Sequence, residues 1–86
     1  MLSAVPRAPK PDPALASALR RLREDRDLTR EALAFHAGLT TGSLARIELG
    51  QSSPSWDTVR KVAKALGISL TELAKAVEAV ELVSGL

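Results

Sequence analysis

The side chains most able to do chemistry in this 86-residue chain are hydroxyls and guanidinium groups that gather between residues 29 and 46. Such groups donate hydrogen bonds to phosphate oxygens and to the edges of nucleic-acid bases. Nucleophilic or metal chemistry has no comparable basis, because His36 is the one histidine and there is no cysteine to join it. The sequence therefore predicts a binding protein rather than an enzyme, with no catalytic residue, no metal site and no cofactor.

Two short helices joined by a tight turn are predicted to position these groups. Thr29 and Thr40 can each accept a hydrogen bond from the first unpaired amides of a helix. Gly38 precedes the second cap, where a left-handed backbone can end the first helix, and Gly50 can end the second helix in the same way. Two capped helices separated by about three residues predict a helix-turn-helix.

The second helix of this pair is predicted to present a narrow, mostly polar face. Leu44 and Ile47 are three residues apart and can point into a core, whereas Glu48 on the same edge would be costly to bury alone. The outward residues are small or polar and include one cation: Thr41, Gly42, Ala45, Arg46 and Leu49. A helix with such a face can enter the major groove of duplex DNA closely.

The stretch TREALAFHAGLTTGSLARIELG at residues 29–50, followed by LGISL at residues 66–70, resembles the phage repressor and Cro-type (XRE-type) helix-turn-helix family. The likeness covers roughly residues 15–77. It implies an all-α fold, a compact five-helix repressor-like bundle, that binds operator-like double-stranded DNA, usually as a homodimer.

The resemblance also implies roles for individual residues. The residues at the start of the third helix would contact bases: Thr40, Thr41, Gly42 and Ser43. Ala45 and Arg46 would lie beside them. The start of the second helix would contact phosphate through Thr29 and Arg30. Arg23 would pair with Glu48 as a structural ion pair.

This chain departs from the family pattern at three places. Arg30 stands where the family often has glutamine, and an arginine can still reach a phosphate. The loop at residues 51–53 is uncharged where the family is often basic. The reading helix lacks asparagine and glutamine, so base reading would fall to Arg46 on guanine, or to the methyl groups of Thr41 and Ala45 on thymine.

Three segments are expected along the chain: a flexible proline-rich arm at residues 1–12, the helix-turn-helix domain at 13–79, and a helical extension at 80–86. Within the domain, Asp12, Ser55 and Ser69 are predicted helix caps, and Trp56 is expected to pack over the joint with the third helix. Leu15, Ala18, Leu19 and Leu22 on the first helix, and Leu70, Leu73, Ala74 and Val77 on the fifth, are expected to face the core. The extension carries Val80, Leu82, Val83 and Leu86, an apolar set that predicts a contact between two copies.

The distribution of charge leaves two interpretations open. The net charge of +2 is weak evidence for a nucleic-acid partner, but five arginines fall between residues 20 and 30, interleaved with acids. They could form a solvated helix face with local ion pairs, or an edge that faces phosphate.

The sequence also bears on the compartment. No apolar run approaches the roughly 20 residues that cross a bilayer, and the start of the chain lacks the pattern of a signal peptide. We therefore expect a cytoplasmic protein with no membrane partner.

Two functions remain open at this point. The first is sequence-specific binding of double-stranded DNA by a transcriptional regulator, most simply a repressor, with the helix at residues 41–49 in the major groove. The alternative is an antitoxin-like interaction module that binds a toxin partner through its C-terminal helix or its proline-rich arm and regulates its own promoter.

Overall fold

A computed structural model describes residues 11–84 of the chain, and five α-helices follow one another along it. They are α1 (Pro13–Asp25), α2 (Arg30–Ala37), α3 (Thr41–Glu48), α4 (Trp56–Leu66) and α5 (Leu70–Ser84). The predicted all-α, five-helix class is confirmed. The predictions for residues 1–10 of the arm and for Leu86 lie outside the described residues.

Side chains cap the helices where the sequence indicated. Thr29 Oγ1 accepts a hydrogen bond from the Ala32 amide at 3.0 Å, and Asp12 caps α1 in the same way. Ser69 and Glu72 form a reciprocal capping box at the start of α5, with both bonds at 3.0–3.1 Å. These contacts satisfy amides that a helix leaves unpaired at its start.

Two glycines end helices in the left-handed region of the backbone. Gly38 ends α2 with φ 72°, and Gly67 ends α4 with φ 74°. Residues with a Cβ enter this region at a cost, so glycine allows the chain to turn sharply between α2 and α3. The turn Gly38–Thr40 therefore sets how α3 leaves α2.

The core is aliphatic and draws on all five helices. Leu19, Leu33, Leu44 and Val62, one from each of the first four helices, are fully buried, and α5 adds Leu73. The predicted stripe of α1 was too narrow, because Ala14 and Ala16 are also buried. Helix α1 packs against both α3 and α5, so more of its surface is covered than one stripe provides.

Two residues that were expected to pack against other helices are exposed. Trp56 is 64% exposed, and it borders a groove that is otherwise lined mainly by residues of α1 and α5. It is the first residue of α4, whose buried residues begin only at Val62, so the first turn extends past the core. Ala74 on α5 is exposed as well, because that helix directs Leu73 into the core.

The last helix is continuous through the predicted boundary between residues 79 and 80. Val80 is half-buried, whereas Leu82 and Val83 are 84% and 88% exposed. Within residues 11–84, no helix combines the length and the apolar character needed to cross a bilayer.

Two glycine-to-alanine changes are expected to alter stability in opposite directions. Gly67→Ala places a Cβ at φ 74° and should lower the free energy of unfolding by about 1–2 kcal/mol. Gly42→Ala lies in a helix, where its Cβ would meet Arg46 at an ordinary 3.7 Å, and should raise stability by up to about 1 kcal/mol. Thermal denaturation of both variants and of the unchanged chain measures these effects. A change of melting temperature of the same sign in both variants would contradict the prediction.

Candidate nucleic-acid interface

Helix α3 is divided lengthwise into a buried side and an exposed side. Leu44, Ile47 and Glu48 are buried beneath it. The exposed side carries the residues predicted to contact bases. Ser43 and Ala45 are half-buried there, and the following residues are exposed: Thr40, Thr41, Gly42, Arg46 and Leu49. No described part of the chain covers this side, so a partner has access to it along its whole length.

A chain of hydrogen bonds orders the polar groups on the exposed side of α3. Thr40 Oγ1 donates to Ser43 Oγ at 2.9 Å, and Arg46 Nη2 donates to the same oxygen at 3.3 Å. Gly42 adds no side chain here, and the position of a Cβ on it would lie 3.7 Å from Arg46 Nη1. The guanidinium of Arg46 is therefore held back along the first turn of α3, over Gly42.

The carboxylate of Glu48 is fully buried and holds two arginines. Arg23 donates from Nε to Oε2 at 2.7 Å and from Nη2 to Oε1 at 3.0 Å. Arg30 donates from Nε to Oε1 at 2.9 Å. The remaining Nη1 of Arg23 donates to the Leu28 carbonyl at 2.7 Å. This cluster of Arg23, Arg30 and Glu48, called the arginine–glutamate cluster below, joins α1, the loop before α2, α2 and α3.

Arg30 makes a contact that the sequence did not predict. The resemblance implied only a phosphate contact for this residue, whereas one edge of its guanidinium is bound to Glu48. The side chain is 33% exposed, and the hydrogen bonds of the described residues include none from its two terminal nitrogens. An arginine in place of the family's glutamine, near an acid expected to be buried, was the available signal.

The cluster carries more positive than negative charge, with two guanidinium groups for one carboxylate. The hydrogen bond to Glu48 raises the pKa of Arg23 above its ordinary value, against the opposing effect of burial. A raised pKa means that the stabilisation is complete at every pH below the ordinary value and is lost only in strongly alkaline solution. Arg23 therefore contributes no pH dependence near neutrality, and the cluster stays cationic.

The other arginines of residues 20–30 mostly serve structure. Arg26 donates from Nε to the Leu66 carbonyl at 2.9 Å and so caps the end of α4. Arg20 forms an exposed pair with Glu24 at 3.5 Å. The Arg26 contact was not predicted, since its partner is a main-chain atom 40 residues away and carries no sequence signal. For these two side chains, the interpretation as structural contacts fits better than a phosphate-facing edge.

Comparison with known proteins gives a consistent set of similarities. A family model described as helix-turn-helix matches residues 19–73. A transcriptional repressor, RstR, of the cryptic phage CTXphi in Vibrio cholerae is 38% identical over 58 residues, which are 67% of this chain and 52% of that protein. The chain thus spans about half the length of this curated relative.

Solved structures are similar over more of their length. The clp gene regulator ClgR from Corynebacterium glutamicum is 30% identical, with a TM-score of 0.75 over 83% of this chain and 92% of that one. The restriction–modification controller protein C.AhdI from Aeromonas hydrophila is 36% identical, with a TM-score of 0.69 over 71% and 92%.

Removing the buried carboxylate is expected to destabilise the domain strongly. Glu48→Ala leaves two guanidinium groups without their counter-charge, one of them mostly buried, and should lower the free energy of unfolding by about 3–5 kcal/mol. The matched control is Glu24→Ala, which breaks an exposed arginine pair and should change stability by no more than about 1 kcal/mol. Urea denaturation of both variants measures the difference. Equal midpoints would show that the buried ion pair contributes no more to stability than the exposed one.

Proposed function

Because this chain belongs to the phage repressor and Cro-type (XRE-type) helix-turn-helix family, we propose that it is a transcriptional regulator that binds double-stranded DNA in a sequence-specific manner, most simply as a repressor. The observation that carries this proposal is the uncovered polar side of α3, held from below by buried aliphatic residues. A helix supported on one side and free on the other is what the major groove accepts. Such an activity belongs in the cytoplasm.

We assign base reading to the first turn of α3 and to Arg46. The guanidinium lies over Gly42 and is bound on one side by Ser43, which leaves its other nitrogens free to donate to a base edge. Guanine offers two adjacent acceptors, N7 and O6, that suit an arginine. Thr41 and Ala45 present methyl groups on the same side, which suit the methyl group of thymine.

Phosphate binding is assigned to the start of α2. The hydroxyl of Thr29 caps the helix, and the free nitrogens of Arg30 lie beside it. Glu48 fixes the guanidinium through Nε, so the free edge of Arg30 has little freedom to lose when a phosphate binds. A cluster with surplus positive charge at this place favours DNA of any sequence.

Two substitutions should separate base reading from phosphate binding. Arg46→Ala should remove about 1–3 kcal/mol of discrimination at one base pair, because base contacts carry sequence information. Arg30→Gln should weaken binding to all duplexes alike and reduce the salt slope by about 1, because it removes one phosphate contact. Titrations of labelled duplexes at several salt concentrations measure both effects. The assignment fails if neither change alters DNA affinity.

Arg30→Gln also removes a partner of Glu48, so stability must be measured beside binding. Glutamine can still donate to Glu48 from its amide, and Arg23 keeps its two bonds. A folded, stable Arg30→Gln variant with unchanged salt dependence would exclude Arg30 from the interface. Far-UV circular dichroism before each titration provides this control.

We further propose that the protein acts as a homodimer that joins through the end of α5. Leu82 and Val83 are almost fully exposed on this helix, past the last contacts with the core. A two-fold pair of such ends would bury these side chains and place two α3 helices on one duplex. Half-sites about 34 Å apart would then match the two reading helices.

The double variant Leu82→Ser and Val83→Ser is expected to shift the chain from dimer to monomer, because it removes apolar area from the contact. Since both side chains are exposed in one copy, the helical content should not change. Sedimentation equilibrium of the double variant and of the unchanged chain, at the same concentrations, measures the mass of each and so tests the dimer. If the unchanged chain is itself a monomer, the exposed end of α5 favours the alternative function, in which it holds a different protein such as a toxin.

A further inference from the structure

A second surface of the domain has no role in the DNA contact proposed above. It is a groove of about 490 Å³ where the start of α1, the first turn of α4 and the length of α5 meet. Its lining is mainly apolar and includes Leu15, Val59, Leu70, Leu73 and Val77. Asp12, Ser55 and Ser69 already accept hydrogen bonds from the first amides of the helices around the groove. The groove therefore offers mainly apolar surface to a partner.

The single tryptophan of the chain borders this groove. Trp56 is 64% exposed, although a large aromatic side chain gains most from burial. Its neighbours across the groove are apolar residues of α1 and α5, so the indole and the groove together form one continuous apolar surface. Such a surface is typical of a place that a further segment or a partner covers.

The charges at the groove indicate which occupant suits it. Asp12 and Glu78 line it, both are exposed acids, and no lysine or arginine is among its lining residues. A second copy of this chain seated on the same groove would bring like charges together, which is unfavourable. The occupant should instead combine apolar or proline residues with positive charge.

The chain itself supplies such a segment directly beside the groove. Residues 1–10, MLSAVPRAPK, lie outside the described residues and join the domain through Pro11 and Asp12, which lines the groove. They contain Pro6 and Pro9 together with the cations Arg7 and Lys10. Proline-rich segments bind aromatic-lined grooves, because their extended backbone is fixed before binding.

The distance along the chain permits this contact. Two residues lie between Pro9 and the groove residue Asp12, so three steps along the chain join them, and an extended chain advances at most about 3.6 Å per residue. A span of about 10 Å is enough to carry Pro9 from Asp12 across a groove of this size.

We propose that residues 6–10 bind this groove in the folded chain, with proline against the indole of Trp56 and with Arg7 and Lys10 beside Asp12 and Glu78. In this position the segment would shield the apolar surface between α1, α4 and α5 from solvent. This proposal is independent of the DNA contact, since none of the residues assigned to DNA lines the groove.

Trp56 provides the test, because it is the single tryptophan and borders the groove. Its fluorescence is compared between the full chain and a variant that lacks residues 1–10. Deletion should move the emission to longer wavelength and raise the acrylamide quenching constant about twofold, because a bound proline segment covers one of the two faces of the ring. Circular dichroism checks that the helices, which begin at Pro13, are intact.

A charge change tests the same contact without shortening the chain. Glu78→Lys should raise quenching as deletion does, and the added changes Arg7→Glu and Lys10→Glu should lower it again. Glu81→Lys is the matched control, because it is exposed on the same helix but does not line the groove. Its quenching should equal that of the unchanged chain.

The proposal is overturned if deletion of residues 1–10 leaves emission and quenching unchanged, since the groove is then open in the full chain. It is also overturned if the emission depends on protein concentration and not on the deletion. That result would assign the groove to a second copy.

Discussion

The burial of one carboxylate is the constraint on which the helix-turn-helix depends. Glu48 has no exposed surface, and an unpaired charge in that position would cost several kcal/mol. Its oxygens are satisfied by Arg23 and Arg30 only when α1, α2 and α3 hold their present positions. An aliphatic core of similar side chains tolerates several packings, so this directional contact favours one arrangement over its competitors.

The same cluster links stability to the surface that faces outward. Glu48 lies on the buried side of α3, yet its partner Arg30 is partly exposed at the start of α2, and its terminal nitrogens make no hydrogen bond within residues 11–84. The contact that fixes the reading helix therefore also fixes a cation next to it. Arg46 is positioned by separate means, through Ser43 and the bare backbone of Gly42. The groups proposed to read bases and those proposed to bind phosphate are thus positioned by two different networks of contacts.

Much of the fold could be predicted because its signals are local. The caps Thr29, Thr40 and Ser69 lie within three residues of the amides they bind, and the aliphatic spacing of α3 indicated its buried side. The same spacing predicted the exposure of Thr41, Gly42 and Arg46, whereas Ala45 is half-buried. Each of these features depends on residues that are close together in the sequence, so it can be predicted from the sequence alone.

The features that were missed depend on distant partners. Arg26 binds a carbonyl of α4, and Arg30 shares its acid with Arg23 across three helices. Trp56 was expected against α3, but the direction of the first turn of α4 depends on how all five helices meet. The spacing of apolar residues predicts which face of a helix is buried. It does not predict the angles at which neighbouring helices pack.

The lengthwise division of α3 has an evolutionary consequence. Leu44, Ile47 and Glu48 are buried in the fold, whereas Thr41, Gly42 and Arg46 are exposed on the opposite side of the helix. Exchanges among exposed residues far from the core are nearly neutral for folding and add independently of it. Exposed residues of α3 can therefore change during evolution while the buried side stays constant, so the same fold can acquire different binding preferences.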